Sequence, residues 1–106
     1  MSFTKREDSN RKTDCCLLDV SSDMTIYSAV KNLQEINFYY SKYNHFEIDL
    51  SAVEEIDSSG IQLLLALNIK SKKDGKNVFL CRMSESVSEV MNLLNISSHF
   101  DWIKSE

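Results

Sequence analysis

The apolar pattern of residues 46–69 changes once, from a period of two to a period of about 3.6, and this change constrains the fold more than any other feature of the sequence. Apolar and acidic residues alternate over 46–50, which predicts a short strand. From Ser58 onward, apolar residues at positions 61, 64 and 65 stand among good helix formers, which predicts a helix. The chain therefore contains a strand followed closely by a helix.

An acid, two hydroxyls and a glycine lie where this helix is predicted to begin: Asp57, Ser58, Ser59 and Gly60. Asp and Ser side chains accept hydrogen bonds from the free backbone N–H groups of a first helical turn, so one interpretation is an ordinary N-cap. The other is a functional hydroxyl at the positive end of the helix dipole, where backbone N–H groups can accommodate a phosphate. The spacing alone leaves both open.

Gly60 is one of two glycines in the chain. Glycine inside a helix is less favourable than alanine by about 0.5–1 kcal/mol, so a glycine here indicates that something must approach the backbone closely. We therefore expect Gly60→Ala to keep or raise the melting temperature while weakening partner binding or phosphorylation.

Strands and helices alternate through the rest of the chain. The predicted elements are an edge strand at 2–6, a central strand at 15–20 buried on both sides, a helix at 26–41, a strand at 77–82 and a last helix after Ser84. Such alternation predicts an α/β fold, with a mixed, mainly parallel sheet, an antiparallel N-terminal edge strand and helices packed on the sheet. We expect one domain over 1–106, with its core at about 14–104.

Local signals predict where the helices begin and end and which sides they bury. Thr25 is the predicted N-cap of the first helix, Gly75 stops the second, and Asn95 ends the third in a left-handed conformation. The residues predicted to face the core are Ile26, Ala29, Val30, Leu33, Ile36 and Tyr40 in the first helix, Val87, Val90, Met91 and Leu94 in the third, and Phe100, Trp102 and Ile103 in the tail.

The second helix is apolar nearly all round. Ile61, Leu64 and Leu65 form one side, which suffices to pack the helix on the sheet, while Leu63 and Leu67 lie on nearly the opposite side. We predict that Leu63 and Leu67 contact a protein partner, with Gln62 and Ile61 beside them. The alternative is that sheet and tail bury both sides.

Several function classes are disfavoured. A net charge of −4 and a pI near 5.1 argue against a nucleic-acid partner. The longest nearly apolar run, 61–69, is about half of a membrane span, and three cysteines, two of them adjacent, favour a reducing cytoplasm. His45 and His99 have no triad or metal-site spacing, and no Gly-rich phosphate loop occurs. We expect no enzymatic activity, metal or cofactor.

The stretch Ile48-Asp-Leu-Ser-Ala-Val-Glu-Glu-Ile-Asp-Ser-Ser-Gly-Ile61 resembles the signature of the STAS domain of bacterial anti-sigma-factor antagonists, and the resemblance extends over about 15–100. It implies a mixed sheet with helices packed on it. It also implies that Ser58 occupies the position phosphorylated by a partner anti-sigma kinase, with Ser59 at the neighbouring Ser/Thr position.

One departure from the antagonist pattern lies before the first helix, where Ser22-Asp23-Met24-Thr25 stands in place of Gly-Glu-Leu-Asp. The family's Asp lies near the phosphorylated serine, so Asp23 and Thr25 belong to the predicted surroundings of the site. The stretch 23–29 looks more like STAS proteins encoded beside chemotaxis genes or serving phospholipid-transport complexes. Two hypotheses follow: a partner-switching antagonist controlled at Ser58, or a constitutive accessory subunit of such an assembly.

Overall fold

The computed structural model describes residues 3–5, 15–21 and 23–102. The elements are β1 (Phe3–Lys5), β2 (Cys15–Val20), α1 (Ala29–Tyr40), β3 (His45–Leu50), α2 (Ser58–Lys73), β4 (Asn77–Met83), α3 (Glu85–Leu94), a 3-10 turn (Ser97–His99) and β5 (Asp101–Trp102). The predicted alternation of strands and helices is confirmed. The edge strand predicted at 2–6 is present as β1, and residues 2 and 6 lie outside the described residues.

The strands form one sheet in the order β1-β2-β3-β4-β5. β1 pairs antiparallel with β2, and each later pair of neighbours is parallel. The predicted fold class, a mainly parallel sheet with an antiparallel N-terminal edge strand, is therefore confirmed. β5 was not predicted, because two residues are too few to show an apolar period.

The main core lies on one face of the sheet. Cys16, Leu18 and Val20 of β2 are fully buried, and the alternate residues of that strand are half-buried, so the predicted burial on both sides is only partial. In β3, Phe46, Ile48 and Leu50 continue the buried row. The two strands are aligned residue by residue at these positions, so one apolar layer runs across the sheet.

The predicted helix ends are largely confirmed. Asp57 caps α2, and the Ser84 hydroxyl accepts a hydrogen bond from the Val87 N–H at the start of α3. Gly75 follows α2 with a φ of 72°, and Asn95 ends α3 with a φ of 53°, both in the left-handed region that such residues tolerate.

The side of α1 predicted to face the core is right at Ile36 and Tyr40 and wrong at the other bulky apolar positions. Val30 and Leu33 of the helix and Ile26 of the preceding turn are exposed, and the buried residues of α1 are Asn32, Glu35, Ile36, Tyr39 and Tyr40. Burial of Asn32 is compatible with stability because its side-chain amide donates to the Asp23 carbonyl oxygen and to the Ser28 hydroxyl.

The predicted start of α1 is also wrong. The helix begins at Ala29 with Ser28 at the N-cap position, so Thr25 is not its N-cap. Residues 25–28 form a turn, in which the Ser28 hydroxyl accepts a hydrogen bond from the Thr25 N–H. A side-chain bond within this turn replaces the helical turn that the sequence predicted.

The C-terminal segment packs against α2. The amide of the buried Asn68 donates to the carbonyl oxygen of His99 at 2.7 Å, and Phe100 is buried, as predicted for the tail. The side chain of Trp102 and all of Ile103 lie outside the described residues. In α3, Val87 and Met91 are buried, whereas Leu94 is half exposed.

Candidate functional site

Two chain segments meet at the N-terminus of α2, namely 23–27 before α1 and 54–57 before α2. The Met24 N–H donates to the Glu55 carbonyl oxygen at 2.8 Å, and the Asp57 N–H donates to the Met24 carbonyl oxygen at 3.1 Å. These bonds form an isolated parallel bridge between Met24 and Ile56. The loops that follow β2 and β3 are therefore held side by side, at the carboxyl ends of their strands.

The Asp57 carboxylate accepts three hydrogen bonds, which join the first turn of α2 to the turn before α1. One oxygen accepts hydrogen bonds from the Ser59 N–H at 2.8 Å and the Gly60 N–H at 3.3 Å, and the other accepts from the Ile26 N–H at 2.9 Å. The bond from Ile26, followed by those from Gly60 and Ser59, lowers the pKa of Asp57, although partial desolvation opposes the shift. Asp57 is thus a charged N-cap that also holds the turn before α1 in place.

Asp23 and Thr25 belong to the segment 23–27, which is held beside the loop that carries Asp57. The Asp23 side chain accepts a hydrogen bond from the Glu55 N–H at 3.2 Å, and its carbonyl oxygen accepts one from the Ser28 hydroxyl at 2.7 Å. Thr25 is half-buried and lines an open groove with Asp57. Asp23 ties the two loops together, and Thr25 forms part of the surface beside the cap. The neighbouring Ser22 lies outside the described residues.

Ser58 is the first residue of α2, and its side chain is exposed. Its hydroxyl forms no hydrogen bond within the described part of the chain. Ser59, one residue further, is half-buried, and its N–H is held by Asp57. Of the two predicted acceptor serines, Ser58 is therefore the more accessible to an enzyme that transfers phosphate.

Gly60 has a close neighbour, as predicted, but the neighbour belongs to the same chain. A Cβ at position 60 would lie 2.3 Å from the Met24 carbonyl oxygen, 2.7 Å from the Met24 Cβ and 2.8 Å from an Ile56 side-chain carbon. The predicted gain or retention of stability in Gly60→Ala is therefore wrong on steric grounds. Gly60 lets α2 begin directly beneath the bridge between Met24 and Ile56.

The predicted outer side of α2 is wrong in part. Leu67 is buried at 8% exposure and Ile61 at 3%, so both belong to the core. Leu63 is half-buried and lines a cleft between α1 and α2, whereas Gln62 is exposed. The helix packs with its Ile61, Leu64 and Leu67 side inward, which places Leu67 opposite to its expected position. For Leu63 and Gln62, partner contact stays a prediction.

An acidic open groove lies beside the two loops, with a volume of about 490 Å³. Its lining residues are Thr25, Tyr27, Glu54, Glu55, Ile56, Asp57, Ser86, Glu89 and Val90. Sequence reasoning missed Tyr27 and the exposure of its neighbour Ile26, because both fall in a stretch whose apolar spacing suggested a buried helix. Their position depends on the long-range bond between the Ile26 N–H and Asp57, which no local pattern reveals.

The described residues contain neither a metal-binding cluster nor a membrane-spanning helix. No group of three or more His, Cys, Asp or Glu side chains there is arranged to hold a metal ion. Among the same residues, no helix is long and apolar enough to cross a bilayer.

Comparison with known proteins gives a family and a set of similar folds. The family model described as the STAS domain matches residues 8–106. The structure of TM1081 from Thermotoga maritima, described as a candidate anti-sigma factor antagonist, is similar with a TM-score of 0.81 and 20% identity, over 98% of this chain and 86% of that chain.

The anti-sigma factor antagonist SpoIIAA is similar in two solved forms. Its unphosphorylated form gives a TM-score of 0.72 at 11% identity, over 98% of this chain and 88% of that chain. The phosphorylated form, described as a Bacillus cell fate determinant, gives a TM-score of 0.68 at 10% identity, over 98% of this chain and 91% of that chain. Similarity at these identities shows a shared fold.

Proposed function

This chain belongs to the STAS domain family, a non-catalytic regulatory fold, and from that premise we propose that it is an anti-sigma factor antagonist or a similar partner-switching component controlled by phosphorylation of Ser58. It binds a protein partner in the cytoplasm, and the partner is an anti-sigma factor with serine kinase activity or a comparable regulator.

The observation that carries the proposal is the position of Ser58. It is exposed, it is the first residue of α2, and it directly follows the Asp57 cap, as the resemblance to the antagonist motif requires. The described SpoIIAA structures, one unphosphorylated and one phosphorylated, support a fold that tolerates phosphate.

The switch is electrostatic. A phosphoserine adds about 1.5–2 negative charges at neutral pH. At position 58 that charge would stand next to Asp57, and the exposed Glu54 and Glu55 lie in the same loop. A partner surface that is acidic or apolar and that contacts Ser58 directly would then be repelled or would have to desolvate a dianion. Phosphorylation therefore releases such a partner.

Phosphate mapping tests the proposal. Tagged protein is recovered from its native cells under several growth conditions, and its phosphorylated peptides are identified by mass spectrometry. We expect phosphate on Ser58, its loss in Ser58→Ala and its retention in the matched variant Ser59→Ala. Phosphate that maps to another residue, or that persists undiminished in Ser58→Ala, contradicts the assignment.

A second candidate function rests on Thr25, which lines the groove next to Asp57 at the position where the antagonists have Asp. In that case the chain is a constitutive accessory subunit of a chemosensory or phospholipid-transport assembly. A partner that co-purifies equally with wild type, Ser58→Ala and Ser58→Glu, with no phosphate on the chain, would favour this function over the first.

A further inference from the structure

We propose that the exposed apolar side of α1 and its preceding turn forms a docking surface for a basic, apolar protein segment, separate from the contact made through Ser58. This α1 surface consists of Ile26, Tyr27, Val30 and Leu33. The proposal deepens the proposed function and rests on it only in taking the chain to be a protein-binding module.

The α1 surface is apolar and open to solvent. The exposed fractions are 66% for Ile26, 98% for Tyr27, 72% for Val30 and 47% for Leu33. Val30 and Leu33 are three residues apart on one side of α1, and Ile26 and Tyr27 lie in the turn that leads into the helix. The buried residues of α1 lie at other positions, and Leu33 also lines the cleft between α1 and α2. Contiguous exposed apolar side chains of this kind mark interaction surfaces.

The charge next to the surface indicates which partner fits it. Tyr27 also lines the open groove, whose lining contains four carboxylates, those of Glu54, Glu55, Asp57 and Glu89. Lysine and arginine are absent from that lining within the described residues. A segment that places apolar side chains on α1 and lysines or arginines over the groove would be complementary in both respects. A second copy of this chain, with a net charge of −4, would bring carboxylates against carboxylates.

The α1 surface adjoins the phosphorylation site without including it. The Ile26 N–H donates to Asp57 at 2.9 Å, and Ser58 follows Asp57 at the start of α2. Negative charge added at Ser58 therefore lies close enough to attract a basic segment on α1, whereas it weakens a partner that covers Ser58 itself. Docking on the α1 surface should persist in the phosphorylated chain.

A peptide titration followed by NMR tests the proposal. The ¹⁵N-labelled protein is titrated with an amphipathic peptide of leucine and lysine about 18 residues long, and with a matched peptide of leucine and glutamate. We expect the lysine peptide to shift the amide signals of 26–33 and 54–57 and to bind at least tenfold more tightly than the glutamate peptide. Val30→Gln should weaken its binding at least fivefold, and Ile69→Gln, on a 67% exposed residue of α2, should not.

Four results would overturn the proposal: equal affinity for the two peptides, shifts centred elsewhere, undiminished binding by a folded Val30→Gln variant, or a dimer that Val30→Gln dissociates in light scattering. The last would assign the surface to a second copy of the chain.

Ser58→Glu provides the remaining test. We expect it to bind the lysine peptide as tightly as wild type or more tightly, and a fivefold loss would place Ser58 inside the surface and overturn the separation. These results do not depend on where phosphate maps in cells, so failure of the peptide experiment and failure of the Ser58 assignment are distinguishable.

Discussion

At the scale of single residues, Gly60 shows how closely the site is packed. The space for a side chain at position 60 is occupied by the Met24 carbonyl oxygen, 2.3 Å from the Cβ position. We expect Gly60→Ala to lower the free energy of unfolding by about 1–3 kcal/mol, because the better helix propensity of alanine, about 0.5–1 kcal/mol, is smaller than the strain of overpacking. Urea denaturation measures the difference.

Gln62→Ala is the matched control for Gly60→Ala, since Gln62 is exposed in the same helix. Its effect should stay within about 0.5 kcal/mol. A Gly60→Ala variant as stable as wild type would show that the Met24 loop can move away from α2 at little energetic cost.

Asp49 and Arg82 form an ion pair at the carboxyl ends of β3 and β4. The Asp49 side chain is 5% exposed, and Arg82, 63% exposed, contacts it through two nitrogens at 2.7 and 3.0 Å. In Arg82→Met the nearly buried carboxylate loses this partner, so we expect a loss of about 1–3 kcal/mol in unfolding free energy at pH 7. Adding Asp49→Asn in the same chain should recover most of it.

The pH dependence of this loss follows from the pKa of Asp49. Burial raises that pKa, but hydrogen bonds from Ser51 and the guanidinium of Arg82 outweigh it and hold it below the ordinary value of 3.8. A carboxyl group whose pKa is lowered by folding stabilises the fold fully at pH values above its pKa in the unfolded chain. This contribution is lost as the pH falls through its pKa in the folded protein. The difference in unfolding free energy between wild type and Arg82→Met should therefore shrink below about pH 3.8. A difference that grows in acid would contradict this account.

At the scale of elements, what the sequence revealed was local. Alternation over 46–50, the Asp57 cap and the left-handed Asn95 all act within a few residues, and each was predicted correctly. In α1 the apolar spacing correctly placed Ile36 and Tyr40 in the core and wrongly placed Val30 and Leu33 there. The polar Asn32 is buried instead, and the turn at 23–28 supplies acceptors for its side-chain amide.

The faces of α2 give an element-scale prediction. Leu67 is 8% exposed and packs in the main core, so Leu67→Ala should lower the free energy of unfolding by about 2–4 kcal/mol. Ile69→Ala, at a position 67% exposed in the same helix, should change it by less than about 0.5 kcal/mol. Equal effects of the two changes would mean that the helix is rotated from the position described.

At the scale of the whole molecule, the fold class was predictable from the strand and helix periods. The placement of Ser58 directly after the Asp57 cap was predictable from a recognisable motif. The other half of the site was not. The segment 23–27 reaches α2 through the bridge between Met24 and Ile56 and through the bond from Ile26 to Asp57, contacts between residues more than thirty positions apart.

Phosphorylation of Ser58 should leave the stability of the whole fold almost unchanged. The N–H groups of Ser59 and Gly60 already bond to the Asp57 carboxylate, and the Ile61 N–H bonds to the Asp57 carbonyl oxygen at 3.1 Å. A phosphate on Ser58 therefore finds these donors occupied. Its attraction to the helix dipole is opposed by repulsion from Asp57, so we expect the free energy of unfolding to change by less than about 1 kcal/mol.

Protein with phosphoserine incorporated genetically at position 58 allows the measurement without a kinase. Amide shifts in ¹H–¹⁵N spectra should be confined to residues 24–27 and 54–62, with Ser59→phosphoserine as the positional control. Shifts that extend to the buried strand residues Leu18 and Ile48, or a large loss of stability, would show that the phosphate displaces Asp57 from its cap. Because Asp57 also holds Ile26, that outcome would mean that phosphorylation rearranges the turn before α1 as well as the charge at Ser58.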